Sequence, residues 1–339
     1  MKRLFGIRAD GQPAYLYTIT CGDLTAEISD HGAAIHKLLA PDAKGNLADV
    51  ILGFNHPDDY SASTTFFGAP VGRFTNRIAN GEFYLGGEKI CLDRNDNNTS
   101  YLHGGFEPYK NRLWQVIDHT QNSICFQLES PHGDQGFPGQ AHIRVSYALE
   151  APATLRIIYD AICDRDTVLN LTNHSYFNLA GHENIEAAMK QTLILPGRFF
   201  NPDDAQNIPT GELRPVEGTP MDFRQAKTIG RDIDKDYEPL QLQGGYDHNY
   251  EVFCNPCAIL RDPSSGRTMA ISTDCPGIQF YSGNYLDETG KGGVHYHKRS
   301  GVALETQFYP DSVNHPEWPQ PITKAGVPYH SETSYTFSW

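Results

Sequence analysis

The sequence predicts an all-β protein, a sandwich or barrel with few short helices. Three observations predict it. Thirty-one glycines and 22 prolines punctuate the chain, and turn signals recur at Asp10-Gly11, Asn80-Gly81, Gly86-Gly87, Asn201-Pro202-Asp203-Asp204 and Asp262-Pro263-Ser264-Ser265-Gly266. Between these turns lie short runs in which Val, Ile, Thr, Tyr and Phe roughly alternate with polar residues. Helical periodicity beyond two turns is nearly absent.

Taken in order, the strand-like runs are 15–20, 124–128, 143–149, 155–162, 168–172 and 333–339. Residues 185–192 have room for two helical turns, and 222–230 for another short piece. No Ser/Gly or charged low-complexity tract separates halves, and no fixed-period repeat is present. Candidate site residues come from positions 73 to 305, which favours a single domain over 1–339.

Composition narrows the partners. A hydrophobic fraction of 39% supports a real core. No run approaches the roughly 20 apolar residues of a spanning helix, and the mean hydropathy is −0.48. Arg8 and Asp10 interrupt any leader-like apolar stretch after Met1. The net charge of −14 argues against nucleic acid or an anionic membrane surface as a partner. Seven scattered cysteines form no compact disulfide framework, so a reducing, cytoplasmic setting is expected. Cys254 and Cys257 have CxxC spacing but lack a second pair; reduced thiols suit them better than a metal or redox role.

Six stretches could carry chemistry. In Gly72-Arg73-Phe74-Thr75-Asn76-Arg77-Ile78, an extended chain would put Arg73, Thr75 and Arg77 on one face; arginine forks bind hydroxyls but equally form structural ion pairs. Leu102-His103-Gly104-Gly105 offers a loop histidine beside glycines that let backbone approach closely, or a plain surface turn. The stretch 169–179, Leu-Asn-Leu-Thr-Asn-His-Ser-Tyr-Phe-Asn-Leu, alternates so that Asn170, Thr172 and His174 share a face; Ser175 and Tyr176 add hydroxyls and a ring. That mixture suits a neutral polyol, and it equally suits a core histidine satisfied by neighbours. Asp247-His248-Asn249 reads as a hydroxyl acceptor or as a capped turn; further on, Gln279 and Tyr281 face away from Ile278 and Phe280. In Val302-Ala303-Leu304-Glu305-Thr306-Gln307, Glu305 is a carboxylate set among apolar strand residues. Burial would raise its pKa and make it a better base near neutral pH, unless an arginine pairs with it. The irregular loop 309–316 is positioned to wall a site. Phosphate-loop, dinucleotide, zinc-protease and nucleophile-elbow motifs are all missing.

Together 72–78, 102–105, 173–179, 247–249, 277–284 and 304–316 resemble the aldose 1-epimerase (galactose mutarotase) family, in that family's order and across most of the chain. Asn-His-Ser-Tyr-Phe-Asn-Leu and Leu-Glu-Thr-Gln-x-Tyr-Pro-Asp-Ser are the most specific matches. The resemblance implies a large single-domain antiparallel β-sandwich with a sugar cleft and no cofactor. It implies His174 as general acid at the ring oxygen and Glu305 as general base at O1. It further implies Asn76, Arg77, His103, Asp247 and Gln279 as hexose binders, with Arg73, Ser175 and Tyr176 nearby. No metal ligand set is expected. An adjacent carboxylate should raise the His174 pKa from its usual value of about 6.5. The chain departs from the family at Phe74-Thr75 and at Phe308, which bears on sugar preference. The expected partner is a small aldohexose, and the expected assembly a monomer or weak homodimer. A hexose-6-phosphate mutarotase and a non-catalytic carbohydrate-binding sandwich are the competing readings.

Overall fold

The computed structural model describes all residues, 1–339. Alternation of apolar and polar side chains builds three antiparallel sheets. The largest has nine strands, ordered Gln115–His119, Ser123–Ser130, Ala141–Glu150, Thr154–Cys163, Tyr329–Ser338, Thr268–Thr273, Ala258–Arg261, Thr192–Ile194 and Lys227–Thr228. Ala141–Glu150 shows the logic. Ala141, Ile143, Val145, Tyr147 and Leu149 are fully buried while their neighbours face outward. Each aliphatic side chain so buried contributes about 1.5–3 kcal/mol. Tyr329–Ser338 is a central strand, paired with Thr154–Cys163 on one side and Thr268–Thr273 on the other.

A six-stranded sheet follows the order Tyr176–Phe177, Val302–Gln307, Gly277–Tyr281, Asp247–Glu251, Phe199–Phe200 and Arg214–Pro215. Its inner face, with Val302, Leu304, Ile278 and Phe280, joins the main core together with Tyr335 and Phe337 of the nine-stranded sheet. The Phe177 and Tyr335 rings meet across this layer at 5.5 Å. Its other face carries Glu305 opposite Gln279, and Asn249 opposite Gln279 on the far side. A slip of one residue in Val302–Gln307 would swap Leu304 for Glu305, so core packing fixes where the carboxylate points. A five-stranded N-terminal sheet, Lys2–Ile7 through Leu47–Asp49, completes the main layers. The all-β expectation therefore holds, as an antiparallel sandwich.

Local readings fared less evenly. The runs at 15–20, 124–128, 143–149 and 155–162 fall inside strands, and 333–339 does so up to Ser338. The 168–172 run does not form one strand. It is divided between Thr167–Val168, paired with Ile322–Thr323, and Thr172–Asn173, paired with Pro70–Val71. Residues 185–190 make only 3-10 turns, and 222–230 contains a two-residue strand and the start of a 3-10 turn rather than a helix. The two α-helices, Pro57–Ala62 and Glu238–Gln243, each carry proline in the first turn, where a missing N–H costs nothing. No helix is long and apolar enough to cross a membrane.

Candidate active site

A cleft of about 240 Å³ opens on the polar face of the six-stranded sheet. Val302–Gln307 delivers Glu305 to its floor. His174 reaches the same floor from an irregular segment. Its backbone N–H donates to Ala69 O at 3.0 Å, and its carbonyl accepts from Gly68 N at 3.1 Å. The two side chains approach to 3.5 Å, Nε2 to Oε1, with His174 5% and Glu305 2% exposed. Glu305 Oε2 and His174 Nδ1 find no partner in the protein. Buried polar atoms left open at a cleft floor are places for a ligand's hydroxyls.

The surrounding groups are held in turn. Asp247 Oδ1 accepts from Gln279 Nε2 at 2.7 Å, and Gln279 Oε1 accepts from Gln307 Nε2 at 3.3 Å. Arg77 Nε donates to Asp96 Oδ2 at 2.7 Å. His103 Nδ1 accepts the Asn76 amide at 3.1 Å, so its Nε2 carries the proton. Gly104 follows at φ +99°, and a Cβ there would stand 2.6 Å from the Gly72 carbonyl, so only glycine lets the His103 loop close.

Burial dominates the electrostatics. It holds the Glu305 carboxyl well above the usual carboxylate range, and the nearby Asp247 charge adds to that. It pushes Asp247 up as well, opposed by Arg77 and by the Gln279 hydrogen bond. It drives His174 down to about 4 and His103 well below its ordinary value. The expected rise at His174 is thus reversed, because desolvation dominates its shift.

Not every expected residue reaches the cleft. Asn76, Arg77, His103, Tyr176 and Asp247 line it with His174 and Glu305, and Gln279 stands behind Asp247. Arg73 does not. Its guanidinium turns inward, donating to Ser130 Oγ and O, Pro131 O and Pro138 O, and it is 2% exposed. The shared face assumed for Arg73 and Arg77 fails because the chain reverses at Asn76, φ +66°. Ser175 is also absent from the lining; its Oγ donates to Asn173 Oδ1 at 2.6 Å. The 309–316 loop walls nothing, but Asp311 braces the Arg77 segment through Ala79 N and the Arg77 carbonyl. Of the departures at Phe74-Thr75 and Phe308, Phe74 is fully buried in a small satellite cluster and Phe308 borders a separate hollow, both off the cleft, while Thr75 Oγ1 comes within 3.5 Å of His103 Nδ1. Thr64, Thr65, Phe66, Asn207, Gln243 and Tyr285 line the cleft unforeseen. Gln243 ends the short helix Glu238–Gln243 and the others sit on loops without periodicity; only Tyr285 adjoined a stretch marked by alternation.

His103, His174 and Glu305 present ligand atoms within 4.8 Å of one another, a cluster sequence spacing did not reveal. With its Nδ1 lone pair taken by a backbone amide, His103 offers a proton at Nε2, which suits a hydroxyl oxygen better than a cation. A larger hollow of about 580 Å³, at 218–231, is lined by charges already paired, Arg224 with Asp222 and Lys227 and Arg231 with Asp232. Cys254 is exposed, and burial pushes the Cys257 thiol up to about 12.

Residues 15–336 match the family model described as aldose 1-epimerase. The chain belongs to the aldose 1-epimerase family. It is 39% identical to an aldose 1-epimerase of Haemophilus influenzae over 97% of both chains. It is 38% identical to the galactose mutarotase of Mus musculus over 99% of this chain and 98% of that one. The solved aldose epimerase homologue from C. elegans superimposes with a TM-score of 0.88 at 31% identity, covering 96% of this chain and 99% of that chain. A galactose 1-epimerase from Lactobacillus acidophilus gives 0.86 at 25%, covering 100% and 98%.

Proposed function

We propose that this enzyme interconverts the α and β anomers of free aldohexoses such as galactose and glucose by acid–base ring opening, with Glu305 and His174 as the proton-transfer pair. The observation that carries the reading is that pair: 3.5 Å apart, buried, each with an open polar atom, in one cleft. In the working form Glu305 is ionised and His174 carries the proton. The carboxylate then takes the O1 proton and the C1–O1 bond becomes a carbonyl. The bond from C1 to the ring oxygen breaks, and that oxygen takes its proton from the His174 imidazolium. Rotation about C1–C2 presents the other carbonyl face. Reclosure returns both protons, so nothing is consumed. Arg77, His103 and Asp247 act as hydroxyl partners, Gln279 orients Asp247, and Tyr176 supplies a ring wall.

Charge favours a free sugar over a sugar phosphate. Arg77, the arginine of the cleft lining, is already paired with Asp96, while Asp247 and Glu305 face inward. A binding module without turnover would have no use for a buried acid–base pair. We further take 1–339 as one domain, because the main core draws residues from Tyr17 to Phe337. We also take the chain to act in the cytoplasm as a monomer or weak homodimer without a cofactor. Polarimetry of freshly dissolved α-D-galactose and α-D-glucose tests the reading: mutarotation should accelerate far beyond the buffer rate, and an unchanged rate for both sugars would sink it.

A further inference from the structure

Two aromatic rings lie near-parallel to the His174 imidazole. Tyr176 stacks on it with centroids 5.0 Å apart and planes 21° apart, and Phe66 lies at 6.1 Å and 24°. Phe66 also leans on His103 at 5.2 Å. Its backbone sits at φ +57°, a region that a bulky side chain adopts only when its surroundings impose it. The surroundings are visible. Lys110 Nζ, 5.2 Å from the Phe66 ring centroid, donates to the carbonyls of Tyr60 at 2.6 Å, Ser61 at 3.3 Å and Ser63 at 2.7 Å. All three of its protons are spent on the chain leading into Phe66, and Lys110 is 5% exposed. Ser63 Oγ bonds Glu288 and Thr65, and the Phe66 carbonyl accepts from Ala69 N, so the segment is tied beyond Lys110 as well.

We propose that Lys110 and Phe66 form a strap that covers the His174 imidazole, which makes both positioning residues for the acid–base pair. Lys110 ties down the carbonyls of Tyr60, Ser61 and Ser63, the backbone that leads into Phe66. That fixed backbone holds Phe66 in its left-handed conformation. The ring then excludes water from His174 and sets how readily the imidazole gains a proton. The other groups around His174 are Glu305 and Asp247 from the six-stranded sheet, Tyr281 beside them, His103 and Arg77 from the facing loops, and Tyr176 on its own segment. Among them only Phe66 and Tyr176 cover ring faces in a near-parallel stack. The depressed His174 pKa, caused by burial, agrees with the arrangement. Lys110 itself is buried, which lowers its pKa to about 8, partly offset by Glu288.

The inference rests on His174 being one of the two proton-transfer groups, and its test separates the two ideas. Histidine ring signals of the full-length protein are followed by NMR against pH, with His174 assigned by its loss in His174→Asn. In Phe66→Ala water reaches the exposed face, and the His174 midpoint should rise by about one pH unit or more from the wild-type value. Lys110→Met, which keeps the stem and removes the three donors, should move it the same way by a smaller amount. Phe66→Leu, which keeps apolar cover, should hold it near wild type. The acid limb of kcat/KM should follow the NMR midpoint in each variant. A raised KM or a lowered Tm with His174 titrating as in wild type means mere substrate contact or structural support, and overturns the strap. If Phe66→Ala does not fold, the Lys110→Met midpoint decides by the same criterion. The titration needs no turnover, so failure of the mutarotase reading would show separately, as wild type inert in polarimetry.

Discussion

Removing each member of the Glu305–His174 pair should expose the titration of the other, and the two exposed curves should run in the reverse of the usual order. In free water a carboxylate loses its proton before an imidazolium does. Here burial pushes Glu305 up and His174 down to about 4. The fall at His174 from 6.5 corresponds to about 3 kcal/mol disfavouring the imidazolium in the empty cleft. In Glu305→Gln the residual rate depends on protonated His174 alone. It should be greatest in acid and fall with a midpoint near 4, because the cause of the shift, desolvation, survives the substitution. In His174→Asn the residual rate depends on ionised Glu305 and should climb with pH through a midpoint well above the usual carboxylate range. Each substitution should lower kcat by about 10²–10⁴-fold, the ordinary worth of one acid or base group. The double variant should lose less than the product of the singles, since the groups act in one coupled exchange. Wild-type kcat/KM should be bell-shaped, with the acid limb belonging to His174 and the basic limb to Glu305. The assay is initial-rate polarimetry of α-D-galactose from pH 4 to 10. A Glu305→Gln enzyme whose residual rate falls with a midpoint at 6.5 or higher would refute the desolvation argument. One with near wild-type kcat would remove Glu305 from the chemistry.

Three further outcomes are expected. Asp247→Asn should raise KM as well as lower kcat, because it alters a hydroxyl acceptor and releases the Gln279 amide; an unchanged KM would put Asp247 outside the binding set. Arg73→Met should lower the unfolding free energy from a denaturant titration by about 3 kcal/mol or more, since it strips the Ser130, Pro131 and Pro138 oxygens of a buried donor; any folded fraction should keep wild-type KM, and a selective KM defect would return Arg73 to the cleft. Glu305→Gln should stabilise the fold above neutral pH. The folded carboxyl binds its proton more tightly than the unfolded one, so at a pH above both values folding carries a penalty of about 1.4 kcal/mol per unit of displacement. The substitution lifts that penalty, and the gain should disappear as pH falls below 4.5, where both states are protonated; a pH-independent difference in Tm would contradict this.

What could be seen in the sequence, and what could not, follows from range. Strand alternation is a local property, and it put Glu305 on the face opposite Leu304, as in the structure, because Val302–Gln307 is regular and pinned on both sides. His174 was found through residue types around it, though the strand thought to carry it is broken. Face arithmetic failed where the backbone leaves the extended region. The reversal at Asn76 sends Arg73 and Arg77 to different places, and the short bond between Ser175 and Asn173 ties that hydroxyl down locally. Phe66 and Lys110 left no pattern at all, because their meeting depends on a left-handed residue and on contacts about 50 positions apart. The direction of the His174 shift was misjudged for a similar reason. Proximity to a carboxylate can be inferred from composition, whereas the depth of burial that lowers His174 is a property of the assembled layers.

The position of Tyr329–Ser338 in the middle of the nine-stranded sheet bears on synthesis. Its partners Thr154–Cys163 and Thr268–Thr273 have both been made before it, yet neither has this neighbour until residues 329–338 have been made. Thr154 pairs with Thr336 across about 180 residues, a closure that must wait until that strand is available. Until then two open β edges lie on either side of an unfilled slot, and such edges invite pairing with other chains. Nascent chains stalled or cut before residue 329 should therefore be the aggregation-prone species of this protein, and a peptide spanning 329–339 supplied in trans is the natural means of capping them.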